Sequence, residues 1–437
     1  MALCSIMSIR MLGLFMILPV FSATAQHMLG ANLTLIGVTL GIYGLTQALF
    51  QIPFGMLSDR VGRKPVIFAG LCLFFIGSII AALSHSIYFL LLGRALQGMG
   101  AIGSTVLALL ADLTRDESRS KAMAFMGLSI GFAFTIAMIA GPIVNHWFHL
   151  SGIFWITAML AMIGAALLFT IPAPPKPFKK TGASFLTILK NRELLRLDAG
   201  IFSLHAILTA IFIAIPIIFT SKMHLSSFQQ ISVYLCVLLL SFAFALPFII
   251  IAEKKRKMKP VFIASIVAIL MVQIGLYYFH LHIFTTLFLL FIFFIAFTVL
   301  EATLPSLVSK IAPIQNKGAA MGVYSSSQFF GIFVGGSVGG FILSHADLSG
   351  VFAFCAFISL IWLVVAFSMK KPAYLSTLVF PVDVVAQHDY QRLMTLPGVS
   401  EIAVVSMESL LYVKIDKEKI SEYELRNAIG EGNLSIE

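Results

Sequence analysis

The chain has 437 residues, of which 59% are hydrophobic and 11% charged, with a formal net charge of +10 and a mean hydropathy of +1.00. A soluble domain carries about a quarter charged residues, so this composition excludes ordinary soluble enzymes and binding modules. The positive balance does not point to nucleic acid, because the basic residues sit in short connections between apolar stretches, where they act as a topology signal.

From residue 3 to about residue 370, apolar stretches near twenty residues long follow one another. Each can cross about 30 Å of hydrocarbon as a helix. They are continuous, rich in Phe, Ile and Leu, and contain internal Gly and Pro, which fits membrane helices and not the alternating strands of a barrel. The predicted spans are 3–25, 33–56, 66–84, 87–113, 121–145, 153–172, 198–220, 229–252, 261–279, 284–310, 318–344 and 350–370, twelve in all. In the first, Ala23-Thr24-Ala25 has the form of a signal-peptidase site. The residues before it are almost uncharged and Arg10 lies inside the apolar run, so a retained first helix is expected. Cys4, Cys72, Cys236 and Cys355 each stand alone in an apolar segment, with no CxxC spacing. They read as packing residues, and no metal site is expected.

Sorting the connections by parity puts twenty-one basic residues, from Arg60 to Lys371, on one side and only Lys222 on the other. The positive-inside rule then places both termini in the cytoplasm of a bacterial inner membrane protein. The longest inner connection, 173–197, holds Pro174, Pro175 and Pro177, then basic residues and an amphipathic stretch from Phe185 to Leu195. It reads as a linker with an interfacial helix. The chain thus divides into a six-helix bundle at 1–172, the linker at 173–197, a second bundle at 198–372 and a soluble tail at 373–437. Met126-Gly127 and Met321-Gly322 are 195 residues apart, as are Gly141 and Gly336, which supports two related halves.

After the second segment the chain reads Gly55-Met56-Leu57-Ser58-Asp59-Arg60-Val61-Gly62-Arg63-Lys64-Pro65. This resembles motif A of the major facilitator superfamily, G-x-L-x-D-R-x-G-R-K, in the loop between helices two and three. Arg94-Ala95-Leu96-Gln97-Gly98-Met99-Gly100 is similar to motif B. Gly141-Pro142 has the core of the antiporter motif C, followed by Val144 and Asn145 where that motif has small residues. The resemblance covers the whole membrane part and is closest to the drug:proton antiporter type that carries an extra C-terminal domain. Relatives of that type have extra residues before the first helix, so a shortened N-terminus is expected.

The fold class expected is therefore an all-α membrane protein, with twelve transmembrane helices in two halves of the major facilitator fold, and a small α+β tail. In physical terms, Gly55 and Gly62 permit a tight turn between helices. The charges Asp59, Arg60, Arg63 and Lys64 lie at the same depth as Asp112, so they can form an ion-pair latch or serve only to set topology. Asp59 can also face the N-terminus of segment eleven, where the helix dipole favours an anion. The resemblance implies a conformational role for these charges.

Ionisable groups inside apolar segments are costly and often functional. Here they are Arg10, Arg94, Asp112, Asp198, His205 and Glu301, all on segments one, four, seven and ten. In the major facilitator arrangement those four helices line the central cavity. Counting about 1.5 Å per residue puts Glu301 roughly 25 Å, and Arg10 roughly 22 Å, from the periplasmic ends of their helices, so they can pair. Glu301 is the leading proton-coupling residue, with Arg10, Arg94 and His205 as further members. The alternatives are a static ion pair for Glu301 and Arg10, an anion-binding role for Arg94, and a hydrogen-bonded packing role for His205. Asp198 is expected at the interface. Many antiporters of the family have a carboxylate on helix one, where this chain has Arg10.

Tyr43, Gln47 and Gln51 recur every four residues on segment two, as do Tyr324 and Gln328 on segment eleven. They line a substrate path or hydrogen-bond between the halves. The Gly141-Pro142 pair and the glycines between Gly331 and Gly340 suit close helix packing.

From about residue 374 the composition is that of a soluble domain. The order predicted is strand 375–380, helix 386–396, strand 400–405, strand 410–416, helix 421–430 and strand 433–436, a ferredoxin-like βαββαβ domain. The tail has no cysteine, so it does not carry metal as related CxxC domains do. Self-association and regulatory contact with the transporter are the roles open to it, beside an inert appendage.

The function expected is a secondary transporter that exports small amphipathic compounds against protons. It uses the proton gradient and no cofactor, since no Walker A sequence is present. Its partners are then a small-molecule substrate, protons and the bilayer. The alternative is a membrane sensor that signals through its tail. No cluster of His, Cys or paired carboxylates supports an enzyme.

Overall fold

The computed structural model describes residues 2–114, 116–172, 188–255, 257–313, 317–370, 375–381, 393–405, 410–416 and 419–429. Thirteen helices make up the apolar part: α1 (Ala2–Phe15), α2 (Phe21–Thr24), α3 (Leu33–Val61), α4 (Arg63–Leu83), α5 (Ile87–Met99), α6 (Gly103–Asp112), α7 (Asp116–Thr170), α8 (Arg192–Ile217), α9 (Ser227–Lys254), α10 (Met258–Phe279), α11 (Ile283–Ile311), α12 (Lys317–His345) and α13 (Leu348–Phe367). Among the described residues, ten spans are long and apolar enough to cross a membrane, with α5 and α6 counted as one.

Side-chain caps set several helix starts. Asn32 accepts from the Leu35 amide before α3, and Asn191 accepts from those of Glu193 and Leu194 before α8. Ser226 and Gln229 form a reciprocal capping box before α9, which satisfies two amides that the first helical turn leaves without partners.

The first segment is not one continuous helix. After Phe15 the chain turns and resumes as α2, because Pro19 has no N–H to donate to the preceding turn. The fourth breaks between Met99 and Gly103. There Gly100 comes so close to α4 that an added Cβ would lie 2.4 Å from the Gly70 carbonyl oxygen. The expected loop at 146–152 is instead helical on both sides of a single residue, His149, at φ 56°. Across that break Gly152 has no room for a Cβ, which would lie 2.2 Å from the Phe148 Cβ.

The linker has Ile188 and Leu189 helical ahead of the Asn191 cap. Its residues 173–187 lie outside the described residues, and Arg192–Leu195 form the first turn of α8. Helix α8 is enclosed, with every residue from His205 to Ile217 buried.

In the tail, β1 (Leu375–Pro381), β2 (Val399–Val405) and β3 (Leu410–Asp416) form an antiparallel sheet in the order β1-β3-β2. Leu378 pairs with Val413 and Val404 with Leu411. Leu411, Val413 and Ile415 point to one face and pack with Phe380, Leu393, Ile420 and Leu425 of α14 (Glu422–Ile429), as the period of two requires. Ser421 caps α14 and its amide and hydroxyl both donate to Glu424. Those bonds, the backbone one foremost, hold the Glu424 carboxyl below its ordinary pKa. Of the first predicted tail helix only residues 393–395 are described and helical, and the last strand, 433–436, lies outside the described residues.

Candidate transport site

Four helices of the first half converge on two buried arginines. Arg10 on α1 and Arg94 on α5 are each 1% exposed. One Arg10 nitrogen donates to the Gln47 side-chain oxygen, and its guanidinium lies 5.8 Å from the Phe74 ring centre. Gln47 in turn donates to Gln51 at 2.9 Å. Arg94 donates to Gln97 at 2.9 Å, and Gln97 to Ser78 of α4 at 2.8 Å. The Arg94 guanidinium also sits 4.8 Å over the Tyr43 ring, within cation–π range. The four-residue spacing of Tyr43, Gln47 and Gln51 thus becomes one buried polar stripe on α3.

The second half contributes a different set. His205 on α8 lies 2.8 Å from the Gln328 amide nitrogen on α12 and 3.9 Å from Glu301 Oε2 on α11. Tyr324, one turn before Gln328, is buried, and among the described residues its hydroxyl has no partner. Arg10 and Glu301 do not pair, because similar depth along two helices does not fix which faces meet. Arg10 turns to α3, and Glu301 turns to α8. Asp198, near the start of α8, is buried, at 6% exposed.

At the turn after α3 the charges organise around Arg63. It donates to Asp112 Oδ2 at 3.0 Å and to Ser58 Oγ at 2.6 Å, and it contacts Asp59 at 2.5 Å. Lys64 caps the end of α7 by donating to the Ile171 carbonyl at 2.6 Å. Only Gly62 makes the turn, at φ +106°. Gly55 lies inside α3, where an added Cβ would stand 3.3 Å from Ser104 Oγ, so it is a packing glycine. The Asp59 side chain is 62% exposed, and Arg60 is exposed as well.

The halves meet closely at the opposite end. A Cβ at Gly37 would lie 2.3 Å from the Gly336 carbonyl oxygen, one at Gly340 would lie 2.7 Å from the Gly37 Cα, and one at Gly44 would lie 2.3 Å from the Phe329 carbonyl oxygen. Helices α3 and α12 therefore touch backbone to backbone there. Ser22 donates to the Phe212 carbonyl across the same end at 3.2 Å. Toward the Gly62 end the glycines have open space beside them. A Cβ at Gly127, Gly131, Gly318 or Gly322 would meet none of the described residues within 4 Å. Gly141, beside Pro142 in α7, packs on α1's continuation, with an added Cβ 2.1 Å from the Met16 carbonyl oxygen.

Some contributors escaped the sequence reading. Gln97 and Ser78 anchor Arg94, and Gly37, Gly41 and Gly44 form the α3 side of the crossing. The three- and four-residue spacing of those glycines was the available signal. Lys259 donates to the Phe367 carbonyl at 3.3 Å, just as Lys64 caps α7, and the two lysines stand 195 residues apart. Lys310 pairs with Glu253 at 2.9 Å at the same end.

Comparison with known proteins gives a consistent result. The sequence model of the Major Facilitator Superfamily matches residues 3–336 and 199–381. The inner membrane transport protein YajR of Escherichia coli K12 is 44% identical over 97% of this chain and 95% of its own length. An uncharacterized transporter of Buchnera aphidicola subsp. Acyrthosiphon pisum is 38% identical over 77% of this chain and 87% of its own. Among solved structures, the human organic anion transporter MFSD10 superposes with a TM-score of 0.58 at 18% identity, covering 84% of this chain and 98% of that one. That last likeness concerns the fold.

Proposed function

Since the chain belongs to the Major Facilitator Superfamily of multi-pass membrane transporters, we propose that it is a proton-coupled exporter of small amphipathic compounds, working by alternating access. One observation carries this reading: along α12 the glycines that face α3 leave no room for a Cβ at one end, whereas a Cβ at Gly318 or Gly322 toward the other end would meet none of the described residues within 4 Å, with the buried polar groups between. Such an asymmetric interface has a natural counterpart with the ends exchanged.

The finer architecture belongs to the same proposal. The 46-residue apolar run Phe125–Thr170, roughly 70 Å as a straight helix, is too long for one span of about 30 Å. Its break at His149 and the shorter helix α1 bring the count to twelve, in bundles 1–172 and 198–372 joined by 173–197. The matched lysine caps at 64 and 259 support two related halves. With the basic end and both termini in the cytoplasm of the inner membrane, the described conformation is the inward-facing one. The β1-β3-β2 order supports a ferredoxin-like tail at 373–437.

For the coupling, Glu301 and His205 are proposed as the proton carriers, facing Arg10 and Arg94 in the other half. Arg63 and Asp112, with Gly55, Asp59, Arg60, Gly62 and Lys64, form the latch at the cytoplasmic end. The test is flux in liposomes with and without an imposed pH gradient, against a panel of amphipathic solutes. Gradient-dependent flux is expected, and flux indifferent to collapse of the gradient removes the coupling. A regulatory role of the tail is favoured by one contact: Lys414, 4% exposed, donates to the Ala312 carbonyl at the end of α11 at 2.9 Å. Transport retained after deletion of residues 373–437 would mark the tail as regulatory or dispensable.

A further inference from the structure

The first half buries two guanidinium groups against the same pair of helices. Arg10 leans on Phe74 of α4 and bonds Gln47 of α3, while Arg94 leans on Tyr43 of α3 and reaches Ser78 of α4 through Gln97. Both are 1% exposed, and no carboxylate among the described residues pairs with either. Their hydrogen bonding is also incomplete. Arg10 Nε and Nη1 and Arg94 Nε are buried with no partner at hydrogen-bond distance among the described residues, and the Tyr43 hydroxyl lies beside Arg10.

A buried charge is tolerated when it is paired, and each buried donor left unmade carries a cost. Two cations sharing one apolar wall repel each other as well. Neutral amides, as from Gln47 and Gln97, satisfy single N–H groups but leave the charge uncompensated. A guanidinium has five donors in a planar fork that matches the oxygens of carboxylate, sulfonate or phosphate. The facing half does not supply the missing anion, since Glu301 turns toward His205.

We propose that Arg10 and Arg94, beside Tyr43, form a binding site for the anionic headgroup of an amphipathic solute. The inference rests on the transporter reading and narrows its substrate class to organic anions. Tyr43, under the Arg94 guanidinium, lies 6.2 Å from the Phe329 ring of the other half, so the arginine site borders the interface between the halves.

The test uses the full chain in lipid nanodiscs and four probes with one naphthyl body: 2-naphthoate, naphthalene-2-sulfonate, 2-naphthyl phosphate and neutral 2-naphthamide. Binding is measured by calorimetry, with empty nanodiscs subtracted. At least one anion should bind about tenfold or more tightly than the amide, the size expected of a charge-assisted hydrogen bond. Arg10→Gln and Arg94→Gln should each erase that preference. Gln47→Glu keeps both arginines and supplies a carboxylate from within, so it should raise the melting temperature and abolish the preference. No anion preference in the unsubstituted protein, survival of the preference in the arginine variants, or a lowered melting temperature in Gln47→Glu would overturn the proposal. Gradient-driven flux of other solutes without any anion preference would sink this inference and leave the transporter reading intact. An anion preference without flux would do the reverse.

Discussion

Glu301 Oε2 lies 3.9 Å from His205 Nε2, and the Gln328 amide nitrogen lies 2.8 Å from that same ring nitrogen. With Gln328 donating, Nε2 accepts, and Nδ1 is left to donate to the Ile201 carbonyl at 3.3 Å. The ring is then neutral, and Glu301 faces it without a full ion pair. In the proposed coupling, a shift of either helix would let the two groups exchange a proton. Glu301→Gln should lower gradient-driven flux about tenfold or more, equivalent to about 1.4 kcal/mol, with the melting temperature unchanged. Flux equal to that of the unsubstituted protein would remove Glu301 from the coupling.

Arg63 joins Asp59, Ser58 and Asp112 at the turn between α3 and α4. The pair is partly exposed, so Asp112→Asn should cost about 1 kcal/mol or less in stability. Its larger effect should fall on transport, which the double exchange Arg63→Asp with Asp112→Arg should partly restore. Liposome flux compared with thermal unfolding separates the two effects. A stability loss that accounts for all of the lost flux would argue against a conformational latch.

Gly62 adopts φ +106° and ψ 154°, a region essentially limited to glycine. A Cβ there would touch only Pro65 Cδ at 3.6 Å, so the obstacle is the backbone itself. Gly62→Ala should destabilise the protein by about 1–3 kcal/mol, read as a lower denaturation midpoint. Gly55→Ala faces a milder crowding with Ser104 and should cost less.

Lys414 reaches through the outer face of the tail sheet to Ala312 and lies 3.8 Å from Glu401. Lys414→Met keeps the side-chain length and removes the donor, leaving the Ala312 carbonyl without that bond. Hydrogen exchange over the last turn of α11 should then rise severalfold. Unchanged exchange there would mean that the tail is not anchored by this residue.

Much of this arrangement is legible in the sequence. Segment ten, expected at 284–310, is Ile283–Ile311, and the tail strand expected at 410–416 is Leu410–Asp416. Length, apolarity and the period of two decide such elements locally. The breaks at Pro19 and at Gly100 were harder, because continuous apolarity hides a turn buried among neighbours. The partner of Arg10 was not legible at all. Depth follows from counting residues, but rotation about the helix axis is set by packing, and packing turned Arg10 to Gln47 and Glu301 to His205. Likewise Gly331–Gly340 read as packing glycines, while only the structure shows that Gly336 and Gly340 face Gly37 and Gly41 of α3 and that Gly331, Gly335 and Gly339 face Phe202, Ala206 and Ala210 of α8.

The central claim is that the two ends of the interface exchange as the halves rock. It is tested in a background without native cysteines by two single probes, Ser22→Cys at the closed end and Gly322→Cys at the open end, each with and without Gly37→Leu. The leucine would wedge against the Gly336 carbonyl and the Gly340 Cα, 2.3 and 2.7 Å from its Cβ. Reactivity toward an impermeant thiol reagent is followed from each side of the membrane. The account predicts that without the wedge only the residue 322 probe reacts, and that with it the residue 22 probe becomes reactive as the other becomes protected. Both probes reacting together in the wedged protein, or neither changing, would contradict it.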